Sequence, residues 1–391
     1  MKLKLYQLVC LVLFFAVTGT LNVAAQGCVA IRPMSCGGTD FSNVAGLFGK
    51  GEWRVSASYR YFKSHRHFRG DSEEEERIEN GTEVINLANS VELGVSHSIS
   101  NRFSLAVNLP VIFYDRSSLY EHYGNSTNSN PDQLRFHTGA KGIGDMRISG
   151  NYWLFNPMQG SGNISVGLGL KLPTGNSNVN DDFHKLNSEG LDSLVNKPVD
   201  QSIQLGDGGW GITLEAQAFQ SISTRSMLYF SGFYMFNPQN VNKTLTRGTL
   251  DNADPLIAYH SIADQYAVRL GINYMALPQQ NLSVSLGGRI EGIPAEDAFG
   301  KSEGFRRPGY VISAEPGLFY TLGSLNFNLS VPVALYRNRV KSVYDLADPN
   351  GNRHGDAAFA DYSINAGVLW RFGGHHTASM EDVPKFKNTS N

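Results

Sequence analysis

Cysteine is scarce in this chain: three residues in 391, too few for the dense disulfide framework of a small secreted scaffold. Charge of one sign is missing too. Lysine and arginine number 33 against 35 acids, a net charge of −2, so the basic footprint of a nucleic-acid binder is absent. No apolar run after Val17 approaches the roughly twenty residues of a spanning helix, which argues against helical anchoring. Catalytic signatures are thin as well. There is no Gly-x-Ser-x-Gly elbow and no compact Asn/His/Ser grouping on one strand, and Ser96-His97-Ser98 falls where a solvated turn is expected. The chain is therefore read as non-enzymatic, with no catalytic residue and no cofactor. The acidic stretches 73–76 and 181–184 offer oxygen ligands without fixed geometry; they read as solvated loops, and no metal site is expected.

The N-terminus is a separate device. Lys2 and Lys4 precede an apolar run from Leu8 to Val17, and Val23, Ala24 and Ala25 follow, which marks residues 1–26 as a secretory signal peptide. Cys10 leaves with it. Cys28 and Cys36 remain as an even pair in an exported protein, read as a disulfide closing a small loop, with lipidation of Cys28 as the rival reading. Residues 27–50 show no strong periodicity and are expected to form a periplasmic segment or plug.

What the chain does have is a rhythm. Glycine is abundant at 41 residues, aromatics make up 11%, and apolar residues recur at every second position from about residue 51 to 372. Trp53, Val55, Ala57, Tyr59 and Tyr61 alternate with Arg54, Ser56, Ser58 and Arg60, which places the two sets on opposite faces of a strand. The same parity continues over 83–98, 101–115, 142–156, 162–175, 205–222, 225–238, 262–277, 281–293, 308–322, 324–338 and 360–372. Short turns near 98–101, 156–162, 221–225, 278–281 and 323–324 alternate with long loops near 64–82, 116–141, 176–204, 239–261, 294–307 and 339–359. An even number of long strands with short turns at one end and long loops at the other describes an all-β, twelve-stranded antiparallel transmembrane barrel spanning 51–372. Both ends then lie in the periplasm of a Gram-negative cell, and the loops face the medium. A mean hydropathy of −0.24 fits, because half of each strand faces a polar interior. Tyr114, Tyr152, Trp153, Phe155, Phe236, Tyr320, Trp370 and Phe372 fall where strands meet turns or loops, as interfacial girdles do.

Charge placement follows the same parity. Arg54, Arg60, Arg147, Lys171, Arg269, Arg289 and Arg371 are expected to point inward, together with Glu92, Asp145, Glu215, Glu291, Glu315 and Asp361. A cation on the lipid face would cost about 2–4 kcal/mol at the bilayer midplane, so this segregation supports the register. Two readings of these lumen-lining candidates stand side by side: rings of charge that select a solute, or ion pairs that fill and stiffen a narrow barrel.

Three stretches resemble a known family: Gly142-Ile-Gly-Asp-Met-Arg-Ile-Ser-Gly-Asn-Tyr-Trp153, Val166-Gly-Leu-Gly-Leu-Lys-Leu-Pro-Thr-Gly175 and Leu205-Gly-Asp-Gly-Gly-Trp-Gly211. Their order is similar to that in the outer-membrane transporters associated with the phenol-degradation meta pathway. The resemblance implies passive uptake of small, often aromatic or hydrophobic, compounds, and it brings no catalytic residue. Asp145 and Lys171 are the in-facing members of the matching motifs. The last strand, ending Leu369-Trp-Arg-Phe372, is similar to the terminal signal read by the barrel-assembly machinery, although a polar tail, 373–391, continues beyond it. The expected function is an outer-membrane channel or transporter for small solutes, with membrane lipid, lipopolysaccharide, the assembly machinery and the solute as partners and no nucleic acid. The alternative is a closed structural or adhesion barrel acting through its outer loops, which a plug formed by residues 28–50 or by loop 176–204 would favour.

Overall fold

Alternating sequence becomes a single closed wall. A computed structural model describes residues 49–156, 161–246 and 252–374. Cys28, Cys36, the signal segment, most of the expected plug and the tail after Gly374 lie outside the described residues. The wall strands are β1 (Glu52–Arg69), β2 (Ile85–Ser98), β3 (Phe103–Ser118), β4 in two pieces (Phe136–Ile143 and Met146–Trp153), β5 (Gly162–Leu172) and β6 (Gly211–Ser221). They continue as β7 (Ser226–Phe236), β8 (Gln265–Leu277), β9 (Leu282–Ile293), β10 (Gly309–Leu322), β11 in two pieces (Leu325–Ser330 and Val333–Asn338) and β12 (Ala357–Gly373). Each pairs antiparallel with the next, and β12 returns to β1 in a ladder running from Glu52 opposite Gly373 to Phe68 opposite Ala357. Closure removes the sheet edge over most of the wall, which is what lets strands live in lipid.

The parity of the wall is inside-out relative to a water-soluble domain. Leu168, Leu286, Leu270 and Leu335 are among the most exposed large apolar side chains, whereas Arg54, Glu291, Glu315, Lys171 and Gln217 are buried. Apolar surface faces the hydrocarbon and polar groups satisfy one another within. Large side chains also lie along the inner wall where glycine permits. The Tyr229 hydroxyl occupies the space that a Cβ at Gly271 or Gly287 would need, with contacts of 2.6 and 2.3 Å.

The short turns have local causes. Ser100 accepts hydrogen bonds from the N–H groups of Arg102 and Phe103, and Ser223 does the same for Arg225 and Ser226. Asn281 (φ 52°) and Gly323 (φ 59°) supply the left-handed residue in two others. At the opposite end the loops carry a hairpin (Asn180–Leu186 with Asp192–Pro198), a second small ribbon (Val241–Leu245 with Tyr259–Ser261) and two single-turn helices.

Several boundaries differ from the sequence expectation, each for a physical reason. β1 runs on to Arg69, because register shifts between Phe62 and Ser64 and between Ser64 and Arg66 break the alternation without ending the ladder. β4 starts at Phe136 and breaks at Gly144-Asp145. β6 starts at Gly211 rather than 205, since Asp145 captures the Asp207 N–H (3.0 Å) and folds 205–210 inward. β11 breaks at Val331-Pro332, where proline has no donor for the ladder.

Candidate functional site

The interior is built from strand charges in three tiers. At the turn end, Glu52 of β1 accepts from Arg54 (2.7 Å) and from Arg371 of β12 (3.0 Å twice). Near mid-height Arg60 of β1 reaches Glu291 of β9 at 3.1 Å. Strands β10 to β12 lie between those two on the shorter way round, so this pair is a strut across the lumen. Glu291 also carries Arg289, while Arg269 grips Glu315 with two bonds of 2.9 and 2.7 Å and Ser330 donates to the same carboxylate. On the other side Arg147 pairs with Glu92 across β3, beside buried Glu215.

Asp145 and Lys171 sit apart from these tiers. Asp145 accepts from the backbone N–H groups of Gly175 and Asp207, both at 3.0 Å, and Lys171 pairs with Asp207. Together they anchor the segment between β5 and β6. Asp361 is only half-buried and holds His65 and Arg66 at the loop end of β12.

That anchored segment enters the barrel. Val199, Ile203, Gln204 and Leu205 are buried, around a 3-10 turn (Gln201–Ile203) capped by Asp200, whose carboxylate accepts from Ser202 N–H. Asp200 is a latch. It accepts two bonds of 2.8 Å from Arg307 and lies 3.5 Å from Arg116 of β3. Burial works against its ionisation, but Arg116 and Arg307 outweigh that and hold its carboxyl well below the usual range. Gln204 closes the segment on itself by bonding Val179 N–H and the carbonyls of Val179 and Val199.

Beside the latch the wall has a seam. The lower piece of β4 pairs with β5 from Met146 opposite Leu172 downward, but the piece Phe136–Ile143 pairs only with β3. The gap is filled by residues 173–176 and 205–207, where a Cβ on Gly175 would meet the Gly206 backbone at 2.8 Å. Leu205 seals it from within against Ile112 and Ala140, with Tyr114 and Val179 alongside.

Two cavities lie above the mid-height tier. The inner one, about 90 Å³, touches Phe62, Ala88, Tyr114, Ile203 and Ala263; the outer one, about 510 Å³, opens among the loops. Arg306 and Arg307 line both, and Arg307 carries the Asp200 latch.

His67, Glu74 and Asp356 bring one potential metal ligand each to within 4.8 Å of the others. Their lone pairs are already committed. His67 Nε2 accepts from Val84 N–H (2.9 Å), its Nδ1 meets Asp356 (2.6 Å), and Glu74 holds Arg69 and Arg77. The cluster is held together as an ion-pair knot.

An aromatic knot outside the wall links the loops. His122 lies over Phe183, and Phe136 stacks on His184 with ring centroids 3.9 Å apart. His122 Nδ1 accepts from His184 N–H, and burial pushes the imidazole down to about 4 from an ordinary 6.5. A lowered histidine binds fewer protons folded than released, so its contribution is complete above pH 6.5 and is lost as pH falls towards 4. Hydrogen exchange of 120–138 and 180–198 is expected to accelerate over that window, with His122 itself titrating near 4 by NMR; a His122 titration near 6.5 with no change in exchange would contradict this.

Sequence reasoning passed over Glu52, Arg116, Asp200, Asp207 and Arg307. Glu52 has the same parity as Arg54, and Arg116 continues the parity of β3 one residue past the expected end. Asp200, Asp207 and Arg307 lie in loops, where no periodicity marks them.

A closed antiparallel barrel of twelve strands with an apolar outside and an ionic inside is an outer-membrane β-barrel. No family model matches the chain, and no curated protein sequence does. Among solved structures it is similar to the COG4313 outer membrane channel from Pseudomonas putida F1, with a TM-score of 0.53 and 12% identity over 88% of this chain and 100% of that one. The CymD monoaromatic hydrocarbon channel aligns at a TM-score of 0.44 and 10% identity over 91% of this chain and 100% of its own. The Ralstonia pickettii toluene transporter TbuX aligns at 0.40 and 10% over 90% and 100%. The first shows a shared fold; the other two are too distant to carry an argument. The likeness to the meta-pathway transporters rests on its three motifs.

Proposed function

We propose that this barrel is an outer-membrane channel for passive uptake of small solutes, aromatic or otherwise hydrophobic, and that it has no enzymatic role. The observation that carries this reading is the pair of cavities at the loop end that share Arg306 and Arg307, the second of which holds the Asp200 latch. The motif resemblance and the COG4313 channel fold support it. An apolar solute in the inner cavity faces ion pairs below and the Leu205 seal beside it. Desolvating charges is costly and displacing a leucine is not, so the seam is the easier exit for such a solute. The candidate lumen residues Arg54, Arg60, Glu92, Arg147, Glu215, Arg269, Arg289, Glu291, Glu315 and Arg371 then act as a barrier that deflects it.

A second reading has a specific observation behind it: the inward turn from loop 176–204 and the Arg60–Glu291 strut fill the lumen, as a closed structural or adhesion barrel would require. Expression in a porin-depleted Gram-negative host separates the two. The channel reading expects faster uptake of small aromatic solutes, and faster still with Leu205→Ala at unchanged ionic conductance. Uptake equal to that of the empty host would favour the closed barrel.

A further inference from the structure

The outer cavity carries more cation than its role as an entrance requires. Arg77, Arg116, Arg306, Arg307, Arg339 and Arg353 line it, against only two carboxylates, Asp345 and Asp356. Both carboxylates are committed. Asp345 accepts from Ser342, from Gly355 N–H (3.0 Å) and from Arg339, while Asp356 binds His67 and Arg77. The acids that balance the other arginines, Glu121, Asp200 and Asp297, are not among the lining residues. The arginines therefore present their charge to the cavity and the carboxylates stand behind them.

Two of these guanidiniums keep a donor in reserve. Arg339 and Arg306 are each 3% exposed, and the Nε–H of each is buried with no partner among the described residues. Gly355 makes the first possible, since a Cβ there would lie 2.9 Å from Arg339 Nη2. Arg353 differs. It forms no ion pair within 4.0 Å among the described residues, and its guanidinium carbon lies over the Tyr344 ring, 3.7 Å from the centroid. A guanidinium over a ring can still offer its N–H fork to a carboxylate. Phe305, under Arg307 at 4.7 Å, adds a second aromatic surface to the same cavity. The volume of about 510 Å³ lies within the range of about 300–1,000 Å³ typical of small-molecule sites.

We infer that the outer cavity is a binding site for a small aromatic carboxylate, with Arg353 taking the carboxylate amid the other lining arginines and the Tyr344–Phe305 side taking the ring. This rests on the channel reading and adds to it a capture site for aromatic acids at the mouth, the seam exit being the route of uncharged solutes. A carboxylate is captured at the mouth by charge and then meets the Asp200 latch, where Arg307 already forms a two-bonded pair with a carboxylate that the ligand can imitate.

Calorimetry on the full chain in detergent, with benzoate, benzamide and inorganic phosphate as separate probes, tests the site. Benzoate is expected to bind at least tenfold more tightly than either of the others. Arg353→Gln is expected to weaken benzoate about tenfold and Arg353→Lys to fall between, because lysine keeps the charge and loses the fork. Arg353 is half-buried and its side chain anchors no strand, so both variants are expected to fold. Equal affinity for benzoate and benzamide, tighter binding of phosphate, no benzoate heat, or full affinity in Arg353→Gln would each overturn the assignment. Solute flux through proteoliposomes is read separately: flux without benzoate binding sinks the aromatic-acid site and leaves the channel, whereas absence of flux sinks the channel reading.

Discussion

Glu291→Ala is expected to destabilise the barrel by about 3–5 kcal/mol, the usual cost of removing one partner from a buried ion pair. Glu291 is 1% exposed and serves two cations, Arg60 from across the lumen at 3.1 Å and Arg289 on its own strand. Its loss removes the carboxylate that the two guanidiniums share and leaves Arg289 with Glu315 at 3.8 Å. Arg60→Ala should cost less, because Glu291 keeps Arg289. The order of the two effects is thus part of the expectation, and unfolding in urea from detergent micelles reads it directly. The double variant should recover part of the loss, with a coupling of about 0.5–3 kcal/mol. Equal and small effects from both single variants would show that the strut contributes nothing across the lumen. Conductance should rise in Arg60→Ala, since the mid-height tier then loses its one described link from β1 to β9.

Asp200→Ala is expected to raise solute flux several-fold while leaving the wall intact. Arg116 retains Glu121 at 2.8 and 3.1 Å and Asn86 at 2.9 Å, so β3 is little disturbed. Arg307 loses its two-bonded carboxylate, and the 3-10 turn loses its cap, worth about 0.5–2 kcal/mol by analogy with helix N-caps. The inward segment is then held by Gln204, the Leu205 seal and the anchorage of Asp207 on Asp145 and Lys171. Cleavage within residues 199–207 by a broad-specificity protease should appear in the variant, and the unfolding midpoint of the barrel should stay near that of the wild type. Unchanged flux and unchanged proteolysis would mean that Asp200 merely neutralises its neighbours. The sign of the pH effect separates this latch from the histidine knot. Asp200 has a depressed carboxyl, so its contribution is present above the ordinary carboxylate range and is lost only as pH falls through its lower folded value. Between pH 6.5 and 4 the knot around His122 should loosen while the latch holds.

The wall was legible in the sequence because a barrel strand states its environment at every residue. Trp53 to Tyr61 and Phe103 to Phe113 could face only lipid on one side, and the inward parity of Arg54, Glu92, Arg147 and Glu315 followed. Legibility failed where the chain departs from a period of two. Bulges after Phe62 hid the upper third of β1, and Gly206 to Gly209 looked like the start of a strand although their N–H groups go elsewhere. What organises the entrance is less visible still. Asp200 meets Arg307 across 107 positions of sequence, and Arg353 meets Tyr344 within a loop of no periodicity. Such pairs depend on how loops cross above the barrel, which neither propensity nor parity encodes. The motifs around Asp145 and Lys171 did mark a special region, but as the anchorage of an inward loop and a wall seam.

Proteoliposomes carrying the purified wild-type chain offer the most direct test of channel function. Entry of a small aromatic solute should exceed that into protein-free liposomes several-fold, scale with the amount of barrel reconstituted, and rise again with Asp200→Ala. Identical entry rates with and without the protein, in both the wild type and Asp200→Ala, would contradict a channel and leave a closed barrel in its place.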